Sequence, residues 1–416
     1  MTAVRLPRLS RPGVFESIDP KRLFELLHPY ADFFANRSVP IEAPDSIDCQ
    51  AVIREITKAD RETPADLLDA ICLIDELANT VAIELLLDRI PAHTLGIELG
   101  GKHSAADIVT AAWLSNPEKL VQTHALSRIK RVRSYDYFQA SQTTAPKFVT
   151  PAEETLQQLE RDIDSWHVER FRAQGTRVEV FENADEVEFS IMHGSLFRRQ
   201  RIVENGRFGF QSFWPVQSAS AIYNREFGEL RINAKTGKEK ALYCRLLGKH
   251  MFGNENLFPT GVKYTLDPLR EFEFDALAPG GIEGVTDVRM IELWLGDPDD
   301  RYGVITIRKG DDLLDWAQAK KKNIRLERRL ISATFKMELE GRKSDLAITV
   351  RPPNVAIYSR GRVSSTIEAW LTQRGFIIAK QAPRRTRHEP ALASTLAAKR
   401  CGDLAFELAA DARRRI

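Results

Sequence analysis

The sequence predicts an α+β fold: an all-helical N-terminal domain, then a larger mixed α+β domain with mostly antiparallel strands, then a helical C-terminal tail. Three observations support this. Helix-start signals recur through the first 175 residues, apolar residues alternate with a period of two from Thr176, and an Asn-Gly pair separates two extended runs. We expect domains at 1–175, 176–380 and 381–416, with 176–256 and 284–380 as an alternative division of the second.

Capping residues and prolines mark the helix starts of the N-terminal domain. Asp19-Pro20 begins the first amphipathic pattern, and Thr63-Pro64 begins a longer one that runs to about Ile90. Ser104 begins a third. These signals predict that the first 175 residues are helical. Residues 65–73 share a pattern with residues 106–114, which fits either a helical repeat array or two similarly capped helices.

The strongest local signal is a hairpin around Asn205-Gly206. Extended runs lie on either side, from Phe197 to Val203 and from Phe208 to Trp214. An Asn-Gly pair readily adopts the two positive φ angles of a type I′ turn. We expect this hairpin to belong to an antiparallel meander, closed by a helix that starts at the capping box of Thr236 and Glu239.

Further strands and helices alternate after a connection rich in proline and glycine. The predicted strands are Val285 to Leu295, Tyr302 to Arg308, Leu330 to Leu339, Asp345 to Val350 and Val355 to Tyr358. Helices are expected at Asp311 to Lys322 and Ser364 to Arg374. The recurring strand and helix units fit either a duplicated α+β half or ordinary helices that cover a sheet.

Composition is that of an ordinary globular protein. The 416 residues carry 60 Lys plus Arg against 58 Asp plus Glu, so a basic surface must be local. No window is apolar and long enough to span a bilayer, and we expect a cytoplasmic protein without membrane contact. The four cysteines lie far apart, which favours reduced thiols over a zinc site or disulfides.

Motifs for catalysis are missing from the sequence. There is no phosphate-binding Gly-x-x-x-x-Gly-Lys, no nucleophile elbow and no His-Glu-x-x-His. His193-Gly194-Ser195 ends a strand, but spacing identifies no acidic partner for it. The carboxylates of Asp297, Asp299 and Asp300 fit a cation site or, more simply, a turn between strands. We therefore predict no catalytic residue, cofactor or metal.

Basic runs next to aromatic residues are the main functional signal. Cations can neutralise phosphates, and aromatic rings can stack on bases. The candidate nucleic-acid-binding residues are Arg128, Lys130, Arg131, Arg133, Arg198, Arg199, Arg201, Arg207, Lys320, Lys321, Lys322 and Arg325. A fourth run contains Arg384, Arg385 and Arg387. The simplest alternative for Phe208, Phe210 and Trp214 is burial under the Thr236 helix.

These observations favour a non-enzymatic nucleic-acid-binding protein, or a subunit of a nucleic-acid-processing assembly. Nucleic acid is the expected partner, and other protein subunits are a further expectation. Two alternatives stay open. One is a protein–protein interaction module with no nucleic-acid contact, and the other is an unrecognised metal-dependent enzyme that uses the Asp297 loop.

Overall fold

The computed structural model describes residues 4–60, 62–98, 103–141, 145–204, 207–259, 261–297, 303–342, 344–359 and 363–378. They divide into two compact units. One contains the residues up to Lys130 together with Arg198–Phe213, and the other contains Arg131–Phe197 and the residues from Trp214 onwards. The predicted α+β class is confirmed. The expected tail at 381–416 lies outside the described residues, and the domain boundaries stay a prediction.

Helices dominate the N-terminal part of the chain, as expected. They are α1 Pro20–Leu27, α2 Ala31–Ala35, α3 Cys49–Thr57, α4 Ala65–Leu77, α5 Thr80–Leu87, α6 Ala105–Ser115 and α7 Pro117–Arg131. The predicted caps are present: the Asp19 side chain accepts from the amides of Lys21 and Arg22, and Ser104 accepts from Asp107. The helices enclose an apolar core of aliphatic and aromatic side chains.

The single long helix expected from Thr63 to Ile90 is wrong. Helix α4 ends at Leu77. A separate helix, α5, then starts because the Asn79 side chain accepts a hydrogen bond from the amide of Ala82 at 3.2 Å. Asn79 itself is extended, with φ −152° and ψ 156°. Asparagine is a strong N-cap residue, so it ends one helical pattern and begins the next without proline or glycine.

The second unit is built on a large sheet. The strands of the chain are β1 Ser134–Gln139, β2 Arg177–Glu182, β3 Glu186–Gly194, β4 Arg198–Glu204, β5 Arg207–Phe213, β6 Val216–Asn224, β7 Glu229–Asn233, β8 Val285–Gly296, β9 Ile305–Lys309, β10 Arg329–Leu339, β11 Leu346–Arg351 and β12 Val355–Ile357. The helices of this unit are α8 Glu153–Val168, α9 Gly237–Phe252, α10 Pro268–Glu271, α11 Leu313–Ala319 and α12 Ser364–Gln373.

Ten of these strands form one antiparallel sheet within the described residues. Their order is β2-β3-β6-β7-β1-β12-β11-β10-β8-β9. The central strand β1 lies in a stretch that we expected to be helical, so that expectation is wrong for 134–139. Tyr135 and Tyr137 are each only 1% exposed in β1. Aromatic residues favour a pleated, buried surface, and pairing with β7 and β12 supplies it.

Helices α8 and α9 contribute to the core of the β2-β3-β6-β7 half of the sheet. Phe189, Ala221 and Ile232 belong to one apolar cluster with Leu159 of α8 and Leu242 of α9. The predicted capping box is present: the Thr236 hydroxyl accepts from the Glu239 amide at 3.2 Å, and the Glu239 carboxylate accepts from the Thr236 amide at 2.9 Å. These bonds fix the start of α9.

The predicted hairpin exists, but it lies outside the meander. β4 and β5 form a separate two-stranded ribbon, and β3 pairs directly with β6. Glu204 opposes Arg207, so a two-residue loop joins the strands as expected. Asn205 and Gly206 themselves lie outside the described residues, and the turn type stays a prediction. The expectation that these aromatic residues are buried is wrong, because Phe208 is 85% and Phe210 is 53% exposed.

The strand from Leu330 to Leu339 matches β10 closely, with one irregularity. Ala333, Phe335 and Met337 are fully buried, as the alternation predicts. The register with β8 shifts between Leu330 and Ser332, so Ser332 is buried and Ile331 is only partly so. A bulge adds one residue to one strand and reverses the alternation locally.

Candidate functional site

The ribbon of β4 and β5 sorts its side chains onto two different faces. Directly opposed residues share a face, and neighbours along a strand alternate. One face, here called the aromatic face, carries Arg199, Arg201, Val203, Phe208, Phe210 and Ser212. The other carries Arg198, Gln200, Ile202, Arg207, Gln211 and Phe213, along with Gly209. The four predicted arginines are therefore divided equally, and the exposed phenylalanines accompany only two of them.

Two arginines contact one ring on the aromatic face. The guanidinium carbon of Arg199 lies 3.9 Å from the centroid of the Phe210 ring, and that of Arg201 lies 5.7 Å from it. Such cation–π contacts hold the guanidinium groups near the ring and restrict their rotation. Phe208 has no such neighbour among the described residues, and its ring stands open to solvent. The aromatic face thus combines two oriented cations with an accessible ring.

Counter-charges are scarce around the ribbon. Within the described side chains, no carboxylate lies within ion-pair distance of Arg198, Arg199, Arg201 or Arg207. Glu204 is the one acidic residue of the two strands. Cations without a local partner are available for an external anion, and arginine can bind a phosphate or a carboxylate through two parallel hydrogen bonds.

The run from Arg128 to Arg133 lacks the aromatic partners that the sequence suggested. Arg128, Lys130 and Arg131 lie in the last turn of α7, and Arg133 precedes β1. Arg128 and Lys130 belong to one unit and Arg131 and Arg133 to the other. The aromatic residues that follow are buried in β1 and are not available for stacking on a base.

The run at Lys320, Lys321 and Lys322 follows the last residue of α11. The Lys322 amide donates to the carbonyl of Ala317 at 2.8 Å and the Lys321 amide to that of Gln318 at 3.1 Å. This is a Schellman motif, in which Lys321 takes the left-handed position with φ 49°. Positive charge at a helix C-terminus also complements the helix dipole. Lys320, Lys321 and Lys322 thus have a structural explanation, which does not extend to the exposed Arg325.

Other predicted features lie partly outside the described residues. Arg384, Arg385 and Arg387 are not among the described residues, and neither are Asp299 and Asp300. Within the described part of the chain, no group of three or more acidic, histidine or cysteine side chains is arranged to hold a metal ion.

A buried polar cluster that the sequence did not predict joins α8, β3 and α9. The rings of His167 and His193 stack with centroids 4.0 Å apart. Arg172 Nη1 lies 3.4 Å from His167 Nδ1 and donates to Glu239 Oε1 at 2.5 Å. His193 Nδ1 lies 2.9 Å from the carbonyl oxygen of Gly194. Spacing could not reveal this cluster, because its members lie on separate elements.

Burial dominates the electrostatics of this cluster. The pKa of His167 is lowered to about 4, chiefly by burial and also by the neighbouring His193 and Arg172. The pKa of His193 is also lowered, mainly by burial. The hydrogen bond from Arg172 lowers the pKa of Glu239 against the opposing effect of burial. At neutral pH the cluster therefore contains two neutral imidazoles and one ion pair.

The role that this geometry supports is structural. Glu239 belongs to the capping box of α9 and, through Arg172, ties that helix to the chain just after α8. Both histidines are almost fully buried, so no substrate reaches their rings. The catalytic interpretation of His193-Gly194-Ser195 gains no support, since Glu239 is engaged by Arg172 and Thr236.

A second buried network lies beside β1 and β7. Lys263 Nζ donates to Glu229 Oε1 at 2.9 Å and lies 4.0 Å from the centroid of the Tyr137 ring. Arg231 bridges Glu229 and Glu186 with N–O distances of 3.5 and 3.0 Å. Its pKa is raised above the usual value by these carboxylates and Tyr137, although burial acts in the opposite direction. Such buried charges depend on one another, because removing one partner would leave the other charge buried and uncompensated.

Comparison with protein-family models and with curated protein sequences gave no match. Among the described residues, no helix has both the length and the apolar character needed to cross a bilayer. Among the predicted basic runs that the structure describes, only the ribbon places exposed aromatic rings and available cations on one face.

Proposed function

We propose that this protein binds nucleic acid through the aromatic face of the β4–β5 ribbon, without catalysis of its own. The observation that carries the proposal is the exposure of Phe208 beside Phe210, Arg199 and Arg201 on one face. An exposed phenylalanine is costly to leave in water unless a ligand covers it. Cations that stand beside such rings direct the choice of ligand towards phosphate-bearing bases.

The dimensions of the ribbon suit this ligand. Seven residues in each strand, at about 3.3 Å per residue, give a length of about 23 Å. A two-stranded ribbon fits the major groove of B-DNA, and the same rings can stack on unpaired bases. Both forms of nucleic acid are therefore compatible with the ribbon, and the binding experiment must include both.

The test is fluorescence anisotropy of the purified, nuclease-treated protein with labelled single- and double-stranded DNA and RNA at two salt concentrations. We expect binding that weakens steeply with salt, because each neutralised phosphate releases counterions. Replacing Arg198, Arg199 and Arg201 with Ala should weaken binding and leave the circular dichroism spectrum unchanged. Equal affinity of the triple variant and the parent protein would remove the ribbon from the proposal.

A second candidate is binding to another protein. A group of exposed apolar side chains in the second unit favours it: Phe171, Leu196, Phe197, Trp214 and Val216 are 87, 54, 51, 55 and 70% exposed. Arg172 pairs with Leu196, and Gly194 with Val216, so these residues are neighbours. Contiguous exposed apolar residues are typical of protein interfaces. Absence of nucleic-acid binding at low salt would favour this candidate.

A further inference from the structure

We propose that the groove between α8 and α9 is a binding site for a phosphate-bearing ligand, separate from the ribbon and independent of its function. The groove is an open depression of about 320 Å³ with a mostly apolar surface, lined by Trp166, Arg170, Lys238, Ala241, Leu242 and Arg245. Three of these six residues are cationic, and none is acidic. This volume lies at the small end of the range found for ligand sites.

Helical spacing brings the cations to one place. On α9, Lys238, Ala241, Leu242 and Arg245 follow at intervals of three, four and seven residues, so they form one stripe along the helix. Lys238 and Arg245 are about 10 Å apart along the axis, at 1.5 Å per residue. The small side chain of Ala241 between them leaves the space open. The two cations can therefore approach one extended anion from its two ends.

The third cation, Arg170, lies just beyond the end of α8 and is already held in position. Arg170 Nη1 donates to the carbonyl of Trp166 at 2.8 Å, and its guanidinium carbon lies 3.9 Å from the Trp166 ring centroid. The same nitrogen lies 3.2 Å from Glu169 Oε2, an exposed pair that leaves the other guanidinium nitrogens available. An arginine held over an indole loses little freedom when it binds an anion.

Lys238 and Arg245 are also available to bind an anion. Both are exposed, and among the described side chains no carboxylate lies within ion-pair distance of either. Two other cations of α9 are engaged: Lys240 pairs with Asp136 at 2.6 Å, and Lys249 pairs with Asp162 at 2.8 Å. The groove thus concentrates the available positive charge of α9.

Ion pairs at both ends hold the walls of the groove in place. Arg172 binds Glu239 at one end at 2.5 Å, and Lys249 and His250 bind Asp162 at the other at 2.8 and 2.9 Å. The two helices therefore run in opposite directions with fixed spacing. When a site lies on rigid elements, ordering its side chains costs less free energy on binding.

The experiment is isothermal titration calorimetry of the full chain at low salt, with inorganic pyrophosphate and with a 5′-phosphorylated thymidine dinucleotide. We expect both to bind the parent protein. The double variant K238A/R245A should lose at least tenfold in affinity for both, and K238R/R245K should retain most of it. Arg161→Ala, which removes an exposed α8 arginine outside the groove, is the matched control and should change nothing.

The outcomes separate the groove from the ribbon and identify the ligand. Tighter binding of the dinucleotide than of pyrophosphate identifies a nucleotide strand as the ligand, and equal binding identifies the phosphate alone. The ribbon variant R199A/R201A should bind the dinucleotide as the parent does. Lack of binding by the parent protein, or unchanged binding by folded K238A/R245A, would overturn the proposal.

Discussion

The imidazole rings of His167 and His193 lie parallel to within 14°, with their centroids 4.0 Å apart in the interior of the second unit. His167 is fully buried and His193 is 3% exposed. Within the described residues, Nε2 of His167 has no hydrogen-bond partner. A proton on either ring would place positive charge against the other ring and against Arg172, so folding favours the neutral form of both histidines.

Stability should therefore fall in mild acid. The pKa of His167 is about 4 in the folded protein against 6.5 for an exposed histidine. Between these values the unfolded chain binds the extra proton, so the free energy of unfolding decreases as pH falls from 6.5 towards 4. The loss approaches about 3 kcal/mol for His167 alone, and His193 acts in the same direction. Urea unfolding at several pH values within this window measures it.

Two variants test the assignment of this acid sensitivity. His167→Leu should remove the part of the loss that His167 contributes, and the part due to His193 should remain. His28→Asn, at an exposed position, should leave the loss unchanged. Glu239 does not contribute to the loss over most of the histidine window. Its pKa is lowered from 4.5, so the stability that it provides is lost only at pH values below 4.5. A parent protein equally stable at both ends of the histidine window would contradict this prediction.

Removing Arg172 should destabilise the protein strongly. Its partner Glu239 has a side chain only 1% exposed, so Arg172→Met leaves a buried carboxylate without its cation. Breaking a buried pair in this way costs about 3–5 kcal/mol. Lys309→Ala breaks the exposed pair with Glu292 and should cost less than about 1 kcal/mol. Thermal melting of the two variants compares them directly, and similar melting temperatures would exclude a special role for the cluster.

The two faces of the ribbon should differ in their effect on nucleic-acid binding. R199A/R201A removes both cations of the aromatic face, and R198A/R207A removes both from the opposite face. We expect the first pair to reduce the slope of log affinity against log salt by about 1.4–1.8, the value for two phosphates. The second pair should have a smaller effect. If the slope of log affinity against log salt is equal in the two variants, nucleic acid does not bind preferentially to the aromatic face.

Phe208 should matter for binding and not for folding. Because its side chain is 85% exposed, Phe208→Ala should leave the melting temperature nearly unchanged. Stacking of one base on an aromatic ring contributes about 1–3 kcal/mol, so affinity for single strands should fall about tenfold or more. Phe213→Ala, on the opposite face, is the control for the loss of a ring alone.

Lys321→Gly should stabilise the second unit. Lys321 has φ 49°, and a side chain with Cβ is strained in this left-handed conformation. Relief of that strain, less the extra freedom of glycine in the unfolded chain, is worth about 0.5–1 kcal/mol. The neighbouring Lys320 has φ −94°, so Lys320→Gly should destabilise instead. Chemical unfolding of both variants shows whether the sign reverses between adjacent positions.

Local signals were the most predictable part of the fold. The caps at Asp19 and Ser104, the box of Thr236 and Glu239, and the register of Glu204 with Arg207 all depend on neighbouring residues. Strand β1 was missed because its burial depends on β7 and β12, which lie far along the chain. The exposure of Phe208 was missed for the same reason, since alternation shows two faces but not what covers them.

The candidate sites divide in the same way. The ribbon arginines were visible in the sequence because charge and hairpin signals coincide there. The pattern of Lys238, Ala241 and Arg245 was equally visible as a helical stripe, yet only the facing Trp166 and Arg170 make it a groove. The histidine cluster had no sequence signal, since tertiary packing alone brings His167 beside His193.

The place of β1 in the sheet determines when the sheet can be completed. β1 spans Ser134–Gln139, and its second neighbour β12 spans Val355–Ile357, more than 200 residues later. During synthesis β1 can pair with β7 but must wait with one open edge until β12 leaves the ribosome. Open edges invite pairing with other chains, and distant pairs form slowly. Nascent chains stopped before Val355 should therefore be the form of this protein that most needs a chaperone.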